Sequence, residues 1–152
     1  MTSLDFLRNV DILKGLSDEQ LNSVGKLCRE KSYMEEDVLF TEGQPADHLF
    51  LTAEGTVDLS FLLPGRVRTP ATTIVSVPRG RAFGWSSLMP PHRYRLTAHC
   101  TSETCKVLCL NREPLIHLFD TDMQLGYEVM VNLTTLLSAR FRRLKNLKQA
   151  TP

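Results

Sequence analysis

The interval between apolar residues changes twice along this chain, and that change restricts the fold more than any other feature. Up to residue 30 apolar residues recur at helical intervals, from 31 to 111 short runs alternate between apolar and polar residues, and after 111 the helical interval returns. We therefore predict a mainly β fold with flanking helices: N-terminal helices over 1–30, a β-roll (jelly roll) over 31–111 and C-terminal helices over 112–152. A length of 152 residues suits one domain with its own core.

The N-terminal region contains a helix-start signal. Ser17 and Gln20 have the spacing of a capping box, in which each side chain bonds the backbone N–H of the other residue. A helix is therefore predicted to begin near Asp18. Its core face would consist of Leu21, Val24 and Leu27.

The middle region contains seven or eight short β-rich runs separated by turns. The segments EGQPAD, AEG and LPG have turn composition, and Gly43 and Gly55 lie where the chain must reverse. Closely spaced short strands are typical of a barrel or jelly roll. The segment GRVRTPA, residues 65–71, is predicted to be a hairpin tip.

The C-terminal region is predicted to hold a short helix followed by a long one. Pro114 fits only in the first turn of the short helix, and Thr121 or Asp122 would cap the long helix. Apolar residues along the long helix follow a heptad-like series that Arg140 interrupts. This series predicts a homodimer through a seam of Met130, Leu133, Leu137, Leu144 and Leu147.

Composition excludes several functional classes. The net charge of +1 argues against a chain-wide basic field for nucleic acid, and no apolar run approaches the ~20 residues that cross a bilayer. The N-terminus lacks the pattern of a signal peptide, so we expect a cytoplasmic protein without membrane contact. The four cysteines form no C-x-x-C pair and are expected to be reduced thiols.

No catalytic or metal-binding motif stands out in the sequence. It has no P-loop, no ordered Ser/His/Asp set and no pair of carboxylates placed for acid–base chemistry, so we do not expect an enzyme. Asp120 and Asp122 lie beside a helix start and are better explained as caps. The four histidines are scattered, and no metal site is predicted.

Four segments resemble the cyclic-nucleotide-binding domains of catabolite-activator and Fnr-type regulators. They are LFTEGQPADHLFLTAEGTVDL (39–59), GRAFGWSSL (80–88), LNREPLIHLF (110–119) and LGYEVMVNLTTLLSARFRRL (125–144). The resemblance covers roughly residues 8–148 and implies a β-roll whose phosphate-binding cassette holds a cyclic nucleotide or another small anion. Such regulators read DNA with a helix-turn-helix domain after the long helix. Since none fits in this sequence, we expect no direct DNA binding.

The cassette positions are partly retained. The matching residues are Gly84, Ser86, Ser87, Arg95 and Thr97. The resemblance implies that backbone N–H groups after Gly84 face the phosphate and that Arg95 neutralises it. Arg93 is a second choice for the phosphate, on the same face if this segment is a strand. Without a ligand, the two serines would cap the turn and Arg95 would pair with a carboxylate such as Glu103.

Three departures from the family pattern remove contacts to a nucleoside. Trp85 stands where the family has a glutamate that accepts from the ribose 2′-OH, and Leu96 replaces a small or hydroxyl residue. On the long helix, Arg140 and Phe141 stand where the family offers hydroxyls to the base. Trp85 either fills the emptied pocket, inside the roll or beneath the turn, or forms a stacking platform for another planar or anionic ligand.

These features predict a stand-alone regulatory or sensor module with a diverged cassette. Its signal would be a ligand- or partner-dependent change in dimer geometry. One alternative is a genuine cAMP or cGMP receptor in which Trp85 stacks on the ligand. Another is a ligandless dimeric interaction subunit.

Overall fold

A computed structural model describes residues 2–61 and 73–150 of the chain, with side chains up to residue 146. The predicted hairpin tip at 65–71 and the side chain of Leu147 lie outside the described residues. Among the helices described, none is both long enough and apolar enough to cross a membrane.

Two short helices and a 3-10 turn form the N-terminal part. Helix α1 spans Leu4–Arg8, the 3-10 turn spans Asp11–Leu13 and helix α2 spans Asp18–Gly25. The Ser17 N–H donates to Gln20 Oε1 at 2.9 Å, and the Gln20 N–H donates to Ser17 Oγ at 3.2 Å. The predicted capping box is therefore confirmed, and it satisfies two backbone donors that a helix start leaves free.

Short strands make up the β region of the described chain. They are β1 Cys28–Met34, β2 Val38–Phe40, β3 His48–Glu54, β4 Val57–Ser60, β5 Thr73–Val77, β6 Ala82–Phe83, β7 Thr97–Cys100 and β8 Thr104–Asn111. They form two antiparallel four-stranded sheets, with the orders β1-β8-β3-β6 and β2-β7-β4-β5. The predicted β-roll is confirmed.

The two faces of the first sheet are buried in different apolar clusters. Inside the roll, Phe40 stacks on Tyr94 with ring centroids 3.7 Å apart, and Phe50 stacks on Phe83 at 5.1 Å. On the other face, the N-terminal helices and the long C-terminal helix form a second cluster with β3 and β8. This cluster includes Leu7, Leu21, Leu51, Leu110, Leu125 and Leu133. Because both faces are covered, the central part of β3 is continuously buried and shows no alternation.

Two helices close the domain. Helix α3 spans Arg112–Thr121 and helix α4 spans Met123–Ala150. Asp122 Oδ1 accepts from the Leu125 N–H at 3.1 Å, so the cap of α4 is Asp122, one of the two predicted residues.

The exposed apolar face of α4 differs from the predicted seam at Leu133. That side chain is 1% exposed and belongs to the protomer's own core, so a second copy could not reach it. Most apolar side chains at the helix surface instead follow a heptad series from the helix start, and the exposed Val131 lies outside that series. We call this set the α4 stripe: Met123, Tyr127, Met130, Leu137, Phe141 and Leu144.

Candidate functional site

A glycine in the left-handed conformation joins β6 to the short turn that follows. Gly84 has φ of 74°, and the 3-10 turn Trp85–Leu88 begins directly after it. A Cβ atom at Gly84 would lie 3.1 Å from Phe50 Cδ2 and 3.2 Å from the His48 carbonyl oxygen. Both the positive φ and this close approach favour glycine over any other residue.

The two serines of the turn differ in their surroundings. Ser87 is fully buried, and its hydroxyl donates to the Gly84 carbonyl oxygen at 2.8 Å. That bond stabilises the turn without a ligand, as one of the two sequence interpretations held. Ser86 is half-buried and lies at the wall of a small cavity. Of the two serines, only Ser86 is therefore placed to contact a ligand in that cavity.

The indole of Trp85 packs beneath the turn and not inside the roll. Its side chain is 7% exposed and lies in the cluster shared by the N-terminal helices and α4. Its Nε1–H donates to the Ala82 carbonyl oxygen at 2.9 Å. On α4, the Arg140 guanidinium carbon lies 4.0 Å from the indole centroid, within the range of a cation–π contact. The ring is therefore held by a hydrogen bond at its nitrogen and by a cation over its face.

The cavity beside the turn, which we call the cassette cavity, has a volume of about 130 Å³. Its walls are mostly apolar, and Arg95 and Arg140 are the charged residues among those that line it. The apolar wall consists of Phe40, Leu59, Trp85, Met89, Leu96 and Leu137. Three of these, Phe40, Leu59 and Met89, carried no functional signal in the sequence because their spacing is that of ordinary core residues.

Arg95 and Leu96 precede β7 and line the cassette cavity. The Arg95 side chain is exposed and makes no ion pair or hydrogen bond within the described residues, Glu103 included. Arg93 does not line the cavity, because its Nη1 donates to the Gly43 carbonyl oxygen at 2.8 Å. The two arginines would share one face only if their segment were a strand, and it is not, since β7 begins only after them.

Thr97, the last cassette position, is buried and its hydroxyl is bonded to the backbone of the protein itself. It is 1% exposed, and its Oγ1 accepts from the Glu42 N–H at 3.0 Å. Phe141 is 69% exposed and lies outside the cassette cavity. Of the two α4 positions predicted near the base, only Arg140 reaches the site.

The fold and this geometry agree with the comparisons to known proteins. A family model described as the cyclic nucleotide-binding domain matches residues 30–122, more than half of the chain. This chain belongs to the cyclic nucleotide-binding domain family. The family consists of regulatory binding domains and is not an enzyme class.

Solved members of the same fold cover nearly the whole chain. A protein from Geobacter metallireducens described as cyclic nucleotide-binding is 32% identical with a TM-score of 0.78, over 93% of this chain and 99% of that one. A cyclic nucleotide-binding domain from Methylobacillus flagellatus is 25% identical with a TM-score of 0.79, over 97% and 84%. Catabolite activator protein from Thermus thermophilus, 23% identical with a TM-score of 0.74 over 91% and 62%, shares the fold.

One curated protein matches a segment of this chain. Glutaminase 1 of Bradyrhizobium diazoefficiens is 32% identical over 96 residues, which are 60% of this chain and 14% of that protein. The match therefore concerns a small part of the glutaminase.

Arg140 lines the cassette cavity in surroundings that disfavour its positive charge. Burial, and secondarily the nearby Arg143, lower the pKa of its guanidinium to about 10, and Asp11 only partly opposes the shift. Its Nε is buried without a hydrogen-bond partner in the described part of the chain. Asp11 was not singled out by sequence reasoning, since a lone aspartate at the first residue of a short turn indicates only a helix start.

Proposed function

We propose that this domain is a regulatory sensor module whose cassette does not take a cyclic nucleotide in the family's usual way. The observation that carries the proposal is the position of Trp85. The indole replaces the ribose-binding glutamate, and a hydrogen bond to Ala82 and the stacked Arg140 guanidinium hold it in place. Loss of a charge-assisted hydrogen bond of the glutamate kind weakens binding by about 1.5–3 kcal/mol.

The size and chemistry of the cassette cavity support the same proposal. Pockets that bury drug-sized ligands have volumes of roughly 300–1,000 Å³. The cassette cavity has about 130 Å³, and its wall is mostly apolar. A nucleoside would have to displace Trp85 and Arg140 together. That movement would break the hydrogen bond from Trp85 to Ala82 and the cation–π contact between Trp85 and Arg140.

The phosphate half of the cassette keeps features suited to a small anion. Gly84 retains the turn, Ser86 lies at the cavity wall, and the Arg95 guanidinium has no partner among the described residues. A small anion at Arg95 would lie beside the Trp85–Arg140 pair, and Arg140 belongs to α4. Binding would therefore bias how the roll meets that helix.

The direct test is a titration with cAMP and cGMP followed by the fluorescence of Trp85, the single tryptophan of the chain. The wild type should give no saturable change up to millimolar concentrations. A saturable change that disappears in Arg95→Ala would refute the proposal, because the domain would then be a receptor of the usual kind.

A gain-of-function variant sharpens this test. Trp85→Glu with Leu96→Ser restores the family pattern at both positions, and calorimetry should detect cyclic nucleotide binding that the wild type lacks. Adding Arg95→Ala should weaken that binding by about tenfold or more. Far-UV circular dichroism checks that each variant is folded. A folded double variant that binds no better than the wild type would show that Trp85 is not what closes the site.

We further propose that two copies pair through the α4 stripe. Tyr127 and Phe141 are each 69% exposed, so they contribute little to the protomer core while offering apolar surface at heptad positions. Aspartate at both positions should turn a dimer into a monomer in sedimentation velocity. Thr135→Asp with Ser138→Asp adds the same two negative charges at exposed positions outside the stripe and should leave the dimer intact. Identical sedimentation of all three proteins would contradict this pairing.

A further inference from the structure

A second cavity lies on the other side of the Trp85–Arg140 pair. It is formed between the 3-10 turn at Asp11, the segment 75–82 and the C-terminal half of α4, and its volume is about 230 Å³. We call it the basic groove. Its polar lining includes Asp11, Arg81, Arg140 and Arg143, and Trp85 and Arg140 also line the cassette cavity.

Positive charge dominates the basic groove. Three arginines, Arg81, Arg140 and Arg143, line it beside a single acidic residue, Asp11. One oxygen of the Asp11 carboxylate is already bonded to the backbone, since Asp11 Oδ1 accepts from the Ala82 N–H at 3.0 Å. None of the three arginines forms an ion pair within the described residues. Their guanidinium N–H groups are therefore available to bind an anion.

Two of these arginines also disfavour one another. Arg140 and Arg143 are three residues apart on α4, a spacing that brings like charges together on one helix face. Arg140 is the more confined, because its Nε is buried without a partner in the described chain. An anion between the two guanidinium groups would offset this repulsion and would accept hydrogen bonds from both.

The remaining wall of the basic groove is apolar. Val75, Val77 and Pro78 supply one side, and Leu136 and Ala139 on α4 supply the other. A bare inorganic ion would leave this surface unused. A ligand with a charged group and a small apolar body would contact both parts.

We propose that the basic groove binds a small organic phosphate monoester. The dianionic phosphoryl group would lie among the guanidinium groups of Arg81, Arg140 and Arg143, whose planar donors match phosphate oxygens. The organic part would lie against β5 and Leu136. A dianion fits better than a carboxylate because three guanidinium groups oppose a single acidic side chain. This site is separate from the cassette cavity and does not depend on the function proposed above.

Phenyl phosphate is a suitable probe, and Trp85 in the shared wall is a built-in reporter. At low salt, phenyl phosphate should change the Trp85 fluorescence saturably, while inorganic phosphate should bind more weakly. Arg143→Gln should weaken the binding of phenyl phosphate by about tenfold, as expected for loss of one charge-assisted contact. Arg143 is exposed, so this variant should stay folded. The phosphorus NMR signal of the probe gives a second readout that needs no tryptophan.

Arg95→Gln is the matched control, because Arg95 lines only the cassette cavity. Its affinity for phenyl phosphate should equal that of the wild type. Equal weakening by Arg95→Gln and Arg143→Gln would place the probe in the cassette or on general surface charge, and would overturn the proposal. Absence of a saturable signal in both readouts up to millimolar concentrations would overturn it as well.

Discussion

Removal of the Trp85 side chain tests whether the indole is a structural part of the fold. The side chain is 7% exposed and donates a buried hydrogen bond to Ala82. The Arg140 guanidinium carbon lies over the indole, 4.0 Å from its centroid. Truncation of a buried tryptophan to alanine costs about 3–5 kcal/mol. Part of that loss comes from the Ala82 carbonyl, which would be left without its donor.

Trp85→Phe separates the ring from its hydrogen bond. Phenylalanine keeps most of the apolar contact and the surface on which Arg140 stacks but cannot donate, so we expect a loss of about 1–3 kcal/mol. The order of stability should be wild type, then Trp85→Phe, then Trp85→Ala. Since 1 kcal/mol shifts the melting temperature of a domain this size by about 2–4 °C, thermal unfolding separates the three proteins.

Urea unfolding followed by far-UV circular dichroism, at one fixed protein concentration, gives the free energies directly. Phe61→Ala is the control, since Phe61 is 48% exposed and its truncation should change stability by no more than about 0.5 kcal/mol. If Trp85→Ala is no less stable than this control, the indole is not held as described, and the argument that it closes the nucleoside site fails.

Three further predictions follow from local geometry and burial. Gly55→Ala should destabilise the domain far more than Gly43→Ala, and the denaturant midpoints of the two variants measure the difference. Both glycines have positive φ, so both variants are strained. A Cβ at Gly55 would also overlap a serine hydroxyl and the carbonyl oxygen at the start of β8, while a Cβ at Gly43 would meet nothing within 4 Å. Burial raises the pKa of Asp11, so its carboxyl group favours folding at low pH and opposes it as pH rises through the folded pKa. Asp11→Asn should therefore be more stable than wild type at neutral pH, and the gain should vanish below about pH 4 in a pH series of melts. Burial raises the pKa of the thiols of Cys105 to about 12 and of Cys109 to about 11, so a thiol reagent at pH 8 should label them only after unfolding, as mass spectrometry would show.

Local patterns in the sequence were enough to predict much of the fold. The Ser17–Gln20 box marked the start of α2, and Asp122 was one of two residues predicted to cap α4. The change from helical to alternating spacing marked the β-roll. These features depend on residues a few positions apart, whose backbone and side-chain preferences act before any tertiary contact forms.

The arginines near the cassette show where such patterns stop being informative. Arg93 and Arg95 are two residues apart and equally basic, yet one is bound to the Gly43 carbonyl and the other lines the cassette cavity. The sequence could not separate them, because the difference depends on where β7 begins. Likewise, nothing local to Asp11 or Arg81 indicated that α4 would bring Arg140 and Arg143 beside them.

The sequence by itself determined most of the elements and turns through short-range spacing, and it indicated the family through the resemblance of four segments. Only the tertiary structure decided which way Trp85 points and which face of α4 stays exposed. The apolar series on α4 serves equally well as a core face or as a dimer seam, and Leu133 went to the core because the N-terminal helices and the first sheet cover that side of the helix. The Trp85 side chain lies beneath the 3-10 turn because the Ala82 carbonyl oxygen accepts its hydrogen bond there and the Arg140 guanidinium packs on its ring. For Leu133 these groups are the N-terminal helices and the first sheet, and for Trp85 the distant group is Arg140, 55 positions along the chain. Only folding brings them together.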